Sequence, residues 1–452
     1  MSRAMLIGLD CAPPALVFDR LQSKLPVLSR LIARGAHGPL RSVLPPITMP
    51  AWACMLSGRD PGELGVYGFR ARGEGYALRT HDARDISCDR VWDLAGRAGK
   101  KVAVLYVPPT YPPREVNGVL VSCMLTPGPD AVHTFPESLG ASLRARFGPH
   151  APDVPDYRAS EPEALLDQLY RTSRHRFSVA RAIWREERPD LMCFVELGLD
   201  RLHHALWIHL DPSHPEHDPS HRLVREAHDY YAFIDSQVGL LIDEGDLDEA
   251  AVIVASDHGA RSLRGGVAVN EWLRRHGWLV LKEEPAGPAP LTPARIDWPK
   301  TRAWAEAGYY ARVFFNVEGR EPEGIVKAQA LDDEVEEVAR LLEAMPGGAR
   351  AHRPQNLYRK LNGRPPELMV ILADLDHRAV GTVGGPILTE RDDRGPDACN
   401  HDWDGVFIEA GAGVRARGAL HGCAIHDVGA TLLALLEIER PADWLGRDRS
   451  AG

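Results

Sequence analysis

The sequence predicts an α/β protein with a central, mostly parallel sheet and helices on both faces. Three observations predict it. Short runs that are apolar at every position alternate with longer amphipathic runs, and a strand buried on both faces is what reads as uninterrupted apolar sequence. Acidic residues follow three of those runs, at the carboxyl ends where open parallel sheets place their ligand sites. Between about 261 and 399 this rhythm breaks into mixed strands and helices, which predicts an inserted, smaller α+β subdomain.

Taken in order, Ala4–Leu9 is a buried strand ending at Asp10, and Lys24–Arg34 is a helix closing on Gly35. In Leu44-Pro45-Pro46-Ile47-Thr48-Met49-Pro50-Ala51-Trp52, two prolines hold the approach extended. Thr48 stands at an N-cap position and Pro50 falls in the first turn, where its missing N–H costs nothing. Gly58 suits the left-handed stop of this helix. Arg70–Cys88, rich in glycine and charge, reads as loop. Asp89–Ala98 is a helix, Lys101–Val107 a strand, Val107–Pro113 a proline-stiffened turn and Val119–Met124 another strand. Pro162–Glu187 and Arg222–Asp243 are long helices, and Leu191–Val195 and Ala250–Ala255 are strands running into Gly198-Leu199-Asp200 and Ser256-Asp257-His258-Gly259. Trp272–Leu281, Trp304–Phe315 and Asp332–Ala344 belong to the insert, interrupted by proline-rich Glu284–Pro299. Gly405–Glu409 resumes the buried-strand style and Asp427–Leu436 is the closing helix. Residues 1–260 and 400–452 thus form a core domain and 261–399 a cap or substrate subdomain.

Composition bounds the function. The 452 residues can bury more than one core, and 44% hydrophobic with 26% charged residues is ordinary globular usage. A net charge of −10 excludes a broad nucleic-acid-binding face but not a small anionic substrate, because a bound cation overrides net charge locally. No window reaches the run of about 18 apolar residues of a membrane helix. The N-terminal apolar run is too short for a signal peptide and reads as a strand. Seven scattered cysteines without C-x-x-C spacing predict a reducing, cytoplasmic setting without structural disulfides. Oligomeric state is not legible.

The chemistry lies in a mixed carboxylate–imidazole set. Asp10, Asp200 and Asp257 each follow an apolar strand, and three carboxylates brought together repel unless a cation joins them. In Asp200-Arg201-Leu202-His203-His204, helical spacing lets either His203 or His204 share a face with Asp200. Asp257-His258 is an adjacent pair on a turn, and His401 precedes the last buried strand. Such ligands suit zinc or manganese rather than a thiolate cage, and seven candidates are too many for one tetrahedral ion and about right for two. Thr48, at a helix N-terminus, sits where backbone N–H groups attract an anion. His209, His214, His217 and His221 lie among proline and aspartate and read as a solvated loop.

The ordered set resembles the alkaline phosphatase superfamily, in its type I phosphodiesterase/nucleotide pyrophosphatase branch. The resemblance rests on Gly8-Leu9-Asp10, Pro46-Ile47-Thr48-Met49-Pro50-Ala51-Trp52 with Ser57-Gly58, Asp200…His204, Ser256-Asp257-His258-Gly259, and His401 ahead of Gly405-Val406-Phe407-Ile408. It implies an alkaline-phosphatase-like fold. It implies that Asp10, Thr48, Asp257 and His258 hold one divalent ion and that Asp200, His204 and His401 hold another. The pair would most naturally be zinc, with manganese the alternative. It implies Thr48 as the nucleophile, a phosphothreonine intermediate, and a small phosphorylated substrate cleaved at a phosphodiester or pyrophosphate bond. The chain departs from the pattern at Cys11, where many relatives have glycine; a thiol there could make the site oxidation-sensitive.

Thr48-Met49-Pro50-Ala51-Trp52 lacks the Cys/Ser start and the final arginine of a sulfatase motif. Phosphoglycerate mutase relatives generally use serine. The alternatives kept are a phosphomonoesterase or phosphonate hydrolase of the same superfamily and, in a different class, a non-catalytic metal-binding protein. Arg59, Arg70 and Asn400 are candidates for phosphate contact. The Tyr67–Arg72 loop and the Pro108–Pro113 turn are candidates to border the site. Trp52 is a core residue or a base-stacking platform.

Overall fold

The computed structural model describes residues 3–154, 157, 161–245, 247–390 and 397–450. Residues 1–2 and 451–452 of the predicted core domain, and 391–396 of the predicted insert, lie outside the described residues.

The chain divides into two compact units: residues 1–69, 81–260 and 401–452, and residues 70–80 with 261–400. In the first unit, β1 (Arg3–Leu9) is followed by α1 (Pro26–Arg34), β2 (Ala36–Arg41) and α2 (Thr48–Ser57). Next come α3 (Val91–Arg97), β3 (Val102–Leu105), β4 (Gly118–Val121) and β5 (Thr134–Phe135). Then follow α4 (Pro162–Glu187), β6 (Leu191–Glu196), α5 (Gly198–Leu210), α6 (Arg222–Gly245) and β7 (Ala250–Ala255). β8 (Asp404–Gly411) and α7 (His426–Leu435) close the unit.

These strands form one sheet in the order β2-β8-β7-β1-β6-β3-β4-β5, with short segments at Gly418–Ala419 and Cys423–Ala424 along β2. The pairs β7–β1, β1–β6, β6–β3 and β3–β4 are parallel, and β8 pairs antiparallel with both β7 and β2. β6, β7 and all of β1 after Arg3 are buried, as uninterrupted apolar runs require. Alternate residues serve opposite faces. Ala4, Leu6, Cys193, Val195 and Ile253 join one apolar cluster with Trp52 and Met55 of α2, Trp92 of α3 and Leu432 of α7. Phe194 points the other way, its ring 4.9 Å from that of Phe177 on α4.

The second unit has its own core. Strands Ala303–Glu306, Ala311–Phe315, Leu368–Leu372 and Ala349–His352 pair antiparallel in that order, and Val335, Val338 and Leu342 of the helix Leu331–Glu343 join their apolar cluster. The structure corrects the reading of Arg70–Cys88 as loop: Arg70–Arg72 and Leu78–Thr80 form a hairpin that belongs to this unit. Tyr76 at its tip stacks on Trp298 at 3.5 Å between ring centroids and donates its hydroxyl to Asn316 Oδ1 at 2.8 Å. Three-residue strands rich in arginine carry no apolar alternation, so nothing in the sequence marked them.

Candidate metal centre

Strand register builds the site. β1 lies between β6 and β7, with Leu9 opposite Glu196 and Gly8 opposite Ala255, so three carboxyl ends finish side by side. Asp10 stands one residue past β1 and Asp257 two past β7. Asp200 sits in the first turn of α5, which begins at Gly198. All three carboxylates are at most 1% exposed.

One oxygen of each carboxylate is committed to a donor. Trp52 Nε1 donates to Asp10 Oδ2 at 2.7 Å, the Cys11 backbone N–H donates to Asp257 Oδ1 at 3.2 Å, and Arg201 Nη1 donates to Asp200 Oδ2. The opposite oxygens, Asp10 Oδ1, Asp200 Oδ1 and Asp257 Oδ2, have no hydrogen-bond donor in line with them. They face imidazole nitrogens. His204 Nε2 is 3.3 Å and His401 Nε2 3.7 Å from Asp200 Oδ1; His258 Nε2 is 3.2 Å from Asp257 Oδ2 and 3.9 Å from Asp10 Oδ1.

The imidazoles are oriented from behind. His401 Nδ1 bonds the Pro46 carbonyl at 2.8 Å and His258 Nδ1 the Gly259 carbonyl at 3.1 Å. A proton held on Nδ1 leaves the Nε2 lone pair aimed at the carboxylates, as a ligand requires. His203 is turned away: its Nε2 lies 2.6 Å from the Tyr231 hydroxyl and its Nδ1 3.5 Å from Cys11 Sγ. Spacing left His203 and His204 equal; the helix gives only His204 a line to Asp200.

Thr48 needs a correction. It is the first residue of α2 rather than its cap: Ile47 holds the cap position in extended conformation, and no side chain caps the helix. The Thr48 hydroxyl is therefore not spent on the helix; its Oγ1 lies 3.4 Å from His258 Nε2. Gly58 ends the helix at φ 63°, as expected.

Burial, reinforced by Asp257 and Asp200, pushes the Asp10 carboxyl well above its ordinary range, and burial does the same to Asp257. Burial also opposes ionisation of Asp200, but the facing His204 and Arg201 hold it well below the usual range. Burial lowers His258, and burial with His258 alongside lowers His401 further. Neutral imidazoles facing buried carboxylates are the donor set of a divalent cation. The committed second oxygens leave each carboxylate one oxygen to give, so the residues present fit such ions. Among the described residues, two groups have ligand atoms within 4.8 Å of one another: Asp200, His258 and His401, and Asp10, Asp257 and His258. His209, His214, His217 and His221 are in neither; the loop reading holds for the last three, but His209 lies in the last turn of α5, its ring stacks on that of His221 at 4.6 Å, and His217 Nδ1 bonds the Ile208 carbonyl at 2.7 Å.

The candidate phosphate contacts are engaged elsewhere. Arg59 pairs with Glu63 and Asp443, Arg70 pairs with Glu306 at 2.7 Å, and Asn400 Nδ2 donates to the Leu375 carbonyl at 2.7 Å. Trp52 is 0% exposed, which removes it as a stacking platform for a bound base. Three residues went unread in the sequence. Arg201 does pair with Asp200, and Asp153 holds it from the far side at 2.9 and 2.6 Å. Ser256 Oγ ties the Asp257 turn together, accepting from the Ala12 N–H at 2.8 Å and donating to the His258 carbonyl at 2.6 Å. The serine in Ser256-Asp257-His258-Gly259 was the available signal for the latter; nothing local announced Asp153.

The mostly parallel sheet with buried carboxylates and histidines at its carboxyl edge agrees with the alkaline phosphatase superfamily, to which the matching family belongs. The model of the family "Type I phosphodiesterase / nucleotide pyrophosphatase" matches residues 4–403, and the chain belongs to that family, whose members are metal-dependent hydrolases of phosphoric ester bonds. No curated protein sequence matches it. Among solved structures, human ectonucleotide pyrophosphatase/phosphodiesterase 5 superposes with a TM-score of 0.61 at 14% identity, covering 99% of this chain and 97% of the other. Phosphonoacetate hydrolase from Sinorhizobium meliloti 1021, in complex with phosphonoacetate, gives 0.65 at 16% identity over 96% and 95%. An inactive form of the murine phosphodiesterase 5, in complex with AMP, gives 0.59 at 12% identity over 98% and 97%. Among the described residues no helix is long and apolar enough to cross a membrane.

Proposed function

We propose that this chain cleaves phosphodiester or pyrophosphate bonds of small, nucleotide-type substrates at a two-metal site, through a phosphothreonine at Thr48. The observation that carries this is the convergence of three singly committed carboxylates on the imidazoles of His258 and His401, with His204 3.3 Å from Asp200, beside a buried threonine hydroxyl at a helix N-terminus. Asp10, Thr48, Asp257 and His258 would hold one ion and Asp200, His204 and His401 the other, with zinc favoured by the mixed carboxylate–imidazole set and manganese the alternative. When bound, such ions lower the pKa of a coordinated hydroxyl and offset charge on the phosphoryl oxygens.

The chain's own residues do the rest. Thr48 Oγ1 gives its proton to solvent and attacks phosphorus; its bond to phosphorus forms as the bond to the leaving oxygen breaks, and that oxygen takes up a proton from solvent. The free N–H groups of the first turn of α2 point at the same phosphoryl group and stabilise its charge. Water then hydrolyses the threonine phosphoester and restores the hydroxyl. The seven free thiols support a reducing compartment, and we place the enzyme in the cytoplasm.

The test is metal analysis with hydrolysis of bis(p-nitrophenyl) phosphate, p-nitrophenyl phosphate, a nucleotide sugar and phosphonoacetate. Two ions per chain, preference for the diester or the nucleotide sugar, and a loss of at least about 1,000-fold in kcat for Thr48→Ala are expected. Preference for the monoester or the phosphonate would move the enzyme to another branch of the superfamily. Two bound ions with no hydrolysis of any ester, and no effect of Thr48→Ala, would leave only a metal-binding protein.

A further inference from the structure

Thr48 and Trp52 are four residues apart in α2 and therefore share a face of the helix. The Trp52 indole runs from that face to β1, where its N–H meets Asp10 Oδ2 at 2.7 Å. β1 makes room for it. A Cβ on Gly8, two residues before Asp10, would lie 2.4 Å from Trp52 Cη2 and 2.8 Å from Val195 Cγ2. The strand thus omits a side chain where the ring tip passes.

Packing needs the ring but not its N–H. This fold leaves other buried indoles unpaired: Trp92 Nε1 and Trp184 Nε1 have no hydrogen-bond partner. The bond from Trp52 is charge-assisted when Asp10 is ionised, and such bonds are roughly twice as strong as neutral ones. We propose that Trp52 is a positioning residue of the metal centre: its indole N–H occupies Asp10 Oδ2, so that Oδ1 alone is offered to an ion. Because Thr48 rides on the same helix, the one contact also sets the nucleophile against the ligand. The inference rests on the two-metal reading above.

Trp52→Phe keeps an aromatic ring and deletes the donor; Trp92→Phe makes the same deletion at an indole that donates to nothing. Zinc binding to each apo-protein is measured by competition with a chromophoric chelator, and Tm is recorded with and without zinc. Trp52→Phe is expected to weaken one of the two sites by about 10- to 100-fold, leave the other unchanged and shrink the zinc-induced rise in Tm. Trp92→Phe is expected to lower Tm with and without zinc alike and to leave both affinities unchanged. Gly8→Ala, which displaces the ring tip while keeping the tryptophan, should weaken the same site and serves if Trp52→Phe does not fold. Wild-type affinity at both sites in Trp52→Phe, or in Gly8→Ala where that variant stands in, overturns the positioning role while leaving the metal centre intact. A wild-type protein that binds no zinc or manganese overturns the two-metal reading itself, and this inference with it.

Discussion

At the scale of single residues, Cys11 shows why the resemblance departs where it does. Its φ is 64°, in the left-handed region that glycine enters freely and other residues enter at a cost of about 1–2 kcal/mol. That conformation aims the Cys11 N–H at Asp257 Oδ1, while the thiol is buried and donates to the Gly259 carbonyl at 3.3 Å. Cys11→Gly should therefore relieve strain and lose little packing, leaving the unfolding free energy from chemical denaturation within about 1 kcal/mol of wild type and metal affinity unchanged. Cys11→Val, β-branched and hostile to positive φ, should cost about 2 kcal/mol or more and loosen metal binding. Equal stability of the two variants would refute the backbone argument. The neighbouring histidines give a second contrast at this scale. His204→Ala should reduce bound metal from two ions to one by elemental analysis, whereas His203→Gln should keep two and lower stability through the lost Tyr231 contact. How legible these residues were follows from distance in sequence. Asp10, Asp257 and His258 sit at strand ends that the apolar runs mark. Trp52 reaches Asp10 across 42 residues of chain, and no spacing rule connects them.

Elements were legible wherever a long period or an uninterrupted apolar run carried them. Pro162–Glu187 and Ala250–Ala255 have the bounds expected, and Arg222–Gly245 and Leu191–Glu196 differ only at their ends. The 70–80 hairpin was invisible because its stability comes from Tyr76 meeting Trp298 and Asn316, far along the chain. α1 shows the same dependence. Its N-terminus has no local side-chain cap; Asp235 of α6 accepts the Val27 and Leu28 N–H groups at 3.0 and 2.8 Å instead. Leu25 holds the cap position and has no side-chain acceptor, and the cap comes instead from a helix some 200 residues away in the chain, which no local pattern announces. Asp235→Ala leaves two N–H groups without an acceptor and should cost about 2 kcal/mol in urea denaturation. Asp235→Asn, which keeps one carbonyl oxygen, should cost about half as much. A loss below about 0.5 kcal/mol for the alanine variant would show that water replaces the cap.

At the scale of the whole molecule, acid stability is set by groups folded in the neutral state, and His150 in the first unit isolates one of them away from the metal centre. The residue is 7% exposed, and its ring stacks with those of His133, 4.1 Å away, and Tyr106, 5.8 Å away. The Arg176 guanidinium lies 4.9 Å from the Tyr106 ring centroid. Burial, with His133, Arg176 and His175 adding positive charge, lowers the His150 pKa to about 2. An unfolded histidine titrates near about 6.5. Because the folded value is the lower one, the unfolded chain binds the extra proton first. The stability His150 contributes is complete above about pH 6.5 and drains away as pH falls towards the folded value. At pH 5, the shortfall is about 2 kcal/mol. The carboxylates and imidazoles of the metal centre titrate too, so wild type alone does not isolate the effect. His150→Phe preserves an aromatic ring in the stack and removes the proton site. Urea midpoints of the metal-free proteins, measured from pH 7 to pH 5, should fall less steeply for His150→Phe than for wild type. The two curves should separate below about pH 6.5 by roughly that amount. Parallel curves would mean that His150 is charged in the folded protein, which the ring stack and its cationic neighbours oppose.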